Sequence, residues 1–258
     1  YNLVRNNDGQ SLHGGNKGLD RIVWNVDRVT DNEVAFSYMS PDGEEGYPGT
    51  VVFKVVYMLT SDNELKITYN AVTDKPTVVN LSCHAFFNLK GAGNGTVDDH
   101  ILTINSSRIT PVDSFLIPTG ERVPVEGTPF DFRVPTAIGA RLDQDNEQLR
   151  FGKGYDHNWI IDKKIEGVEQ IASVYEPTLG RYMEVWSDQP GLQFYGGNFF
   201  NGKVKDKYGK PMRFREAIAL ETQKFPDSPN HPDFPTTRLN PGEVYVHTCI
   251  YKFMTKNE

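Results

Sequence analysis

Glu64-Leu-Lys-Ile-Thr-Tyr-Asn-Ala-Val72 decides the fold class. Leu65, Ile67, Tyr69 and Ala71 fall on one side of this run, and Glu64, Lys66, Thr68 and Asn70 on the other. A period of two in side-chain direction marks a half-buried β-strand. The turn tripeptide Ser61-Asp-Asn63 separates it from Thr50-Val-Val-Phe-Lys-Val-Val-Tyr-Met-Leu59. That earlier run is β-branched and apolar on nearly both faces, which predicts a more central strand. Together the two read as a hairpin.

Working outward, similar short runs recur at 21–29, 33–39, 77–89, 100–105, 169–176, 181–187, 192–195, 217–223 and 244–253, separated by Gly, Pro, Asn and Asp clusters. No window of about 12 residues carries a helical stripe. The chain therefore reads as all-β, with many strands in two packed antiparallel sheets and few short helices. The Pro- and Gly-rich connection Thr110–Gln148 is expected to cross the surface of the sandwich. With no internal repeat or linker in view, residues 1–258 read as a single domain.

The 258 residues include 15 Phe, 12 Tyr and 3 Trp, a supply of core material that excludes disorder over most of the chain. No stretch approaches about 18 consecutive apolar residues, so no membrane span is expected, and no charged n-region with an apolar h-region opens the sequence. The compartment stays open. A formal net charge of -7 disfavours nucleic acid or an anionic membrane as partner. Cys83 and Cys249 allow at most one disulfide. Metal-ligand spacings such as His-Glu-x-x-His and Cys-x-x-Cys are absent, so neither a metal nor a cofactor is expected. Gly91-Ala-Gly-Asn-Gly95 lacks the Lys-Ser/Thr ending of a phosphate loop and reads as a turn.

Five residues stand out as candidates for chemistry. Were the run at 77–89 a strand, Cys83 and His84 would point to opposite faces and could not form a dyad. Cys83 then joins Leu81, Ala85 and Phe87 in the core, while His84 shares a face with Asn80, Ser82, Phe86 and Asn88. Polar groups beside an aromatic make a sugar-binding wall or an ordinary solvent-facing surface. Glu221 lies in Ala217-Ile-Ala-Leu-Glu-Thr-Gln223, on a face whose neighbours Ala217 and Ala219 are small enough to leave room for a ligand. A carboxylate enclosed there takes a raised pKa suited to proton transfer; on an exposed strand end it is unremarkable surface. Asp156, in Gly152-Lys-Gly-Tyr-Asp-His-Asn158, reads as a satisfier of turn amides or as a ligand group. His13, in Ser11-Leu-His-Gly-Gly15, occupies a turn where glycines permit close approach. Gln193 either bonds a hydroxyl or pairs across strands.

Seven segments, in order over nearly the whole chain, resemble the aldose 1-epimerase (galactose mutarotase) family. They are Ser11-Leu-His-Gly-Gly15 with Gly18-Leu-Asp20 and Trp24; Ser40-Pro-Asp-Gly-Glu-Glu-Gly-Tyr-Pro-Gly49; Val79-Asn-Leu-Ser-Cys-His-Ala-Phe-Phe-Asn-Leu89; Thr110-Pro-Val-Asp113 with Ile117-Pro-Thr-Gly120; Gly154-Tyr-Asp-His-Asn158; Gln189-Pro-Gly-Leu-Gln-Phe-Tyr195; and Leu220-Glu-Thr-Gln223 with Phe225-Pro-Asp227. The resemblance implies a galactose mutarotase-like β-supersandwich and an isomerase that interconverts the α and β anomers of a free hexose without metal or cofactor. It implies His84 as the acid toward the ring oxygen and Glu221 as the base toward the C1 hydroxyl. It further implies His13, Asp156 and Gln193 as substrate-binding groups, with a monosaccharide as the partner. Family members carry a longer N-terminal section with an Asn-Arg pair; here only twelve residues precede His13, and Arg5, Arg21 and Arg28 lie outside any matching motif. The resemblance therefore implies an N-terminally incomplete domain. A non-catalytic carbohydrate-binding module, a hexose-phosphate epimerase and a two-carboxylate glycoside hydrolase remain open alternatives. For the phosphate reading, the lysines and arginines of Lys203–Arg215 are either a phosphate site or a solvated hairpin.

Overall fold

The computed structural model describes residues 1–256. They fall into two compact units, one formed by residues 1–81 and 236–248, the other by residues 82–235 and those from 249 onward.

The first unit is built on the antiparallel strands β1 (Asn25–Val29), β2 (Glu33–Ser40), β3 (Val51–Leu59) and β4 (Glu64–Thr73), with the short β5 (Thr77–Val78) after them. The hairpin read from sequence is present: β3 and β4 pair in the register Phe53↔Ala71, Val55↔Tyr69 and Tyr57↔Ile67. Ile67, Tyr69 and Ala71 are buried along with Val51, Phe53 and Val55, as the alternation requires. At the turn, Asn63 takes a positive φ of 60°, a conformation that asparagine tolerates better than most residues. β3 lies between β2 and β4 but buries chiefly one face, with Lys54 exposed on the other.

The second unit holds β6 (Phe86–Phe87), β7 (Ile101–Ile104), β8 (Arg108–Thr110), β9 (Val123–Pro124), β10 (Thr136–Ala137), β11 (Asp156–Ile160) and β12 (Glu169–Glu176). It continues with β13 (Arg181–Ser187), β14 (Gly191–Tyr195), β15 (Asn201–Lys205), β16 (Pro211–Arg213) and β17 (Ile218–Gln223). β18 (Arg238–Leu239) pairs with β5 in the first unit, and β19 (Tyr245–Thr255) enters the second unit with its C-terminal half.

Two antiparallel sheets face each other in the second unit. One has the order β6-β17-β14-β11-β8-β9. The other is formed by β13, β12, β7 and β10 with the C-terminal half of β19. Tyr251 of β19 donates its hydroxyl to the Leu220 carbonyl of β17 at 2.8 Å, and its ring lies 4.8 Å from that of Phe87. Between them, Trp159, Phe194, Leu192, Val174 and Met183 are fully buried. The sole α-helix among the described residues is α1 (Glu147–Gly152), capped by the Asn146 side chain on the Gln148 and Leu149 amides.

Two expectations fail. Residues 79–85 form no strand. Their polar groups find other partners: the Leu81 amide donates to the Tyr245 hydroxyl, and the Ser82 hydroxyl to the Thr222 carbonyl. The connection Thr110–Gln148 does not merely cross the surface, because Val125, Phe130, Phe132 and Ile138 are buried. Two buried donors draw it inward. The Tyr155 hydroxyl and the Trp159 indole N–H donate to the carbonyls of Pro129 and Phe130, each at 3.0 Å, and neither donor has water to turn to.

Candidate active site

Side chains of β17, β14, β11 and β8 meet in rows, because antiparallel partners share a face. One row runs Glu221↔Gln193↔Asn158↔Thr110 across four strands. The neighbouring row runs Phe86↔Ala219↔Tyr195↔Asp156, from β6 to β11. His84 precedes Phe86 by two residues, and its ring lies 4.9 Å from that of Phe86 and 6.2 Å from that of Tyr195. The side-chain sharing expected of a strand thus survives locally, although 84 itself is outside one. Small neighbours leave less room than the sequence suggests. Ala219 is fully buried, and the rings of Phe86 and Tyr195, in register on either side of it, stand 6.1 Å apart.

His84 Nε2 lies 3.5 Å from Glu221 Oε1. The imidazole is open to solvent while the carboxylate is buried, with 36% and 11% of each side chain exposed. Burial, followed by the charge of Asp156, pushes the Glu221 carboxyl up to about 8. Asp156 is half-buried; desolvation raises it to about 6 against the opposing effect of Gln193, whose Nε2 donates to Asp156 Oδ1 at 2.8 Å. That bond leaves Gln193 Oε1 buried with no hydrogen-bond partner, a vacant acceptor beside Glu221.

The loop before β11 sets the place of Asp156. Helix α1 ends at Lys153 in a left-handed conformation, and Gly154 follows at φ 132°. A Cβ at 154 would come within 2.6 Å of Asn198 Oδ1. The Asn198 amide needs that space, since its Nδ2 donates to the carbonyls of Gly152 and Tyr155 and ties the loop down.

Four of the five sequence candidates, His84, Glu221, Asp156 and Gln193, thus come together in the second unit. The fifth, His13, belongs to the first unit, in a turn at φ 53°. Asn6 Nδ2 donates to the carbonyls of Leu12 and Gly15, and the Glu45 carboxylate accepts from the Asn16 and Lys17 amides, fixing that turn from two sides. The basic run at 203–215 forms the β15–β16 hairpin, with Lys203, Lys205, Lys207 and Lys210 exposed. Sequence reading passed over Tyr195, which follows Gln193 by two residues and so had to share its face.

What this constellation offers is acid and base side by side, a second carboxylate and an amide in line, and an aromatic flank. The sequence model of the family described as Aldose 1-epimerase matches residues 1–252. The chain belongs to the aldose 1-epimerase family. It is 44% identical over 253 residues to a galactose mutarotase of Bos taurus, a match covering 98% of this chain and 72% of that protein. An aldose 1-epimerase of Escherichia coli is 38% identical over 247 residues, covering 95% and 70% of the two chains. The crystal structure of a GalM/aldose epimerase homologue from C. elegans superimposes with a TM-score of 0.90 at 28% identity, over all of this chain and 76% of the other. This aldose 1-epimerase family member shares its galactose mutarotase-like β-fold with that structure and with a galactose 1-epimerase from Lactobacillus acidophilus, at a TM-score of 0.87.

Proposed function

We propose that this chain is an isomerase that interconverts the α and β anomers of a free aldohexose, with His84 as acid and Glu221 as base. The observation that carries the assignment is the 3.5 Å approach of His84 Nε2 to Glu221 Oε1 on a sheet face that also bears Asp156 and Gln193. The hemiacetal's C1 hydroxyl and ring oxygen are bonded to the same carbon. An acid and a base that are neighbours therefore reach both, and need not stand on opposite sides of the ring.

Glu221 takes the proton of the C1 hydroxyl as protonated His84 gives one to the ring oxygen. The C1–O5 bond breaks with its electron pair going to O5, and C1 becomes the aldehyde carbon. Rotation about C1–C2 turns the other carbonyl face toward O5. Closure then runs the transfers in reverse, returning the proton from Glu221 to O1 and that of the O5 hydroxyl to His84. The pair carries one transferable proton throughout. A carboxyl held up to about 8 by burial is a stronger base than an ordinary glutamate, matched to a weakly acidic hydroxyl. Asp156 and the vacant Oε1 of Gln193 accept from sugar hydroxyls and fix the ring's placement. A monosaccharide is the partner this reading requires; nucleic acid has no part in it, and among the described residues no helix is long and apolar enough to cross a membrane.

Polarimetry of freshly dissolved α-galactose tests the assignment. Glu221→Gln is expected to cut the enzymatic rate by about 10²–10⁴-fold while calorimetry still detects sugar binding. A variant that retains the full rate removes Glu221 from the chemistry; sugar binding by the wild type without any rate enhancement makes the chain a binding module.

A further inference from the structure

One buried titratable group in the second unit takes no part in the proton transfers yet touches the site. Strand alternation sends His157 to the face opposite Asp156. There it is fully buried, in register with Phe194 and edge-to-face with Phe130 at 4.7 Å. Its Nδ1 accepts a hydrogen bond from the backbone N–H of Asp156 at 3.1 Å. A ring nitrogen that accepts carries no proton, so the proton sits on Nε2. Nε2 is buried without a hydrogen-bond partner. An unpartnered buried donor is costly, and an aromatic or aliphatic residue would fill this space without that cost. The ring is polar to no benefit on its Nε2 side, so what its polarity accomplishes lies at Nδ1. Local packing is arranged around it: a Cβ at Gly152 would approach the imidazole Cε1 to 3.3 Å.

We propose that His157 is a positioning residue for sugar binding, holding the Asp156 amide so that the Asp156 carboxylate is aimed at substrate hydroxyls. Asp156 is then gripped twice, by Gln193 on its side chain and by His157 on its main chain. The inference rests on the assignment of Asp156 to sugar binding, and the test separates the two.

Leucine and asparagine have nearly the same shape, but only asparagine can accept from the Asp156 amide. His157→Asn and His157→Leu lose the same packing against Phe130 and differ in that one hydrogen bond. The kinetics of both, beside Asp156→Ala, are read by polarimetry with α-galactose. His157→Leu is expected to raise KM about ten-fold over His157→Asn, the order expected of a carboxylate shifted by a fraction of an ångström, with kcat little changed in either. Should His157→Leu fail to fold, His157→Phe refills the aromatic site without an acceptor and replaces it in the comparison. Equal KM values for the acceptor and non-acceptor variants, with Asp156→Ala impaired, overturn the positioning role alone. A wild-type KM in Asp156→Ala overturns the sugar-binding assignment of Asp156, and the positioning role with it.

Discussion

The two faces of β11, β14 and β17 differ sharply although they alternate residue by residue. One face carries Asp156, Asn158, Gln193, Tyr195 and Glu221. The other carries His157, Trp159, Leu192, Phe194, Ile218 and Leu220, all buried. Strand geometry therefore sets the Glu221 carboxylate one residue away from the packed side chain of Leu220, and burial is the leading cause of its raised pKa. The site face holds groups that are worse for folding and better for proton transfer, and the core face supplies the rigidity they need.

The comparison breaks most visibly under truncation of the core. Phe194→Ala is expected to destabilise the second unit by about 3–5 kcal/mol, read as a fall in the urea midpoint. Glu221→Gln, on the other face, should leave that midpoint unchanged or raise it at pH 8, because it removes a carboxylate that burial disfavours. A loss of stability in Glu221→Gln comparable to that in Phe194→Ala would erase the distinction between the faces.

Next in size is the pH dependence. Folding raises Asp156 to about 6 and Glu221 to about 8. Between the unfolded carboxylate range and those values the folded state holds protons that the unfolded chain has released. Stability from these two groups is thus complete below about pH 4 and is lost as pH rises through about 6 and then 8. Asp156→Asn should flatten that decline. It should also move the acidic limb of the kcat/KM profile to lower pH, because the charge that helps hold Glu221 up is gone. A limb that stays in place would mean that desolvation alone sets the pKa of Glu221. The smallest effect is expected at the aromatic flank: Phe86→Ala, at a partly exposed ring, should raise KM a few-fold and leave kcat near the wild-type value.

Much of this was legible in the sequence because the strands alternate cleanly. β3, β4, β12, β13 and β17 are found close to where their patterns place them. His84, Glu221, Asp156 and Gln193 could be picked out as chemistry-bearing, but their approach depends on the register among β17, β14 and β11, which no local pattern encodes. Residues 79–85 look like a strand in sequence because Val79, Leu81 and Cys83 mimic alternation, while the Val79 and Leu81 amides donate instead to the Thr237 carbonyl and the Tyr245 hydroxyl far along the chain. Phe130 and Phe132 were hidden by the prolines and glycines around them. Their burial follows from the needs of Tyr155 and Trp159, which lie more than twenty residues away.

The most direct test of the proposed proton sharing between His84 and Glu221 is a double-mutant cycle on anomer interconversion, with His84→Asn, Glu221→Gln and the double variant followed by polarimetry. Two groups that pass one proton through the substrate act as a unit, so the double variant should be no slower than the slower single one. If the two losses instead multiply, His84 and Glu221 act independently, and the concerted acid–base account is wrong.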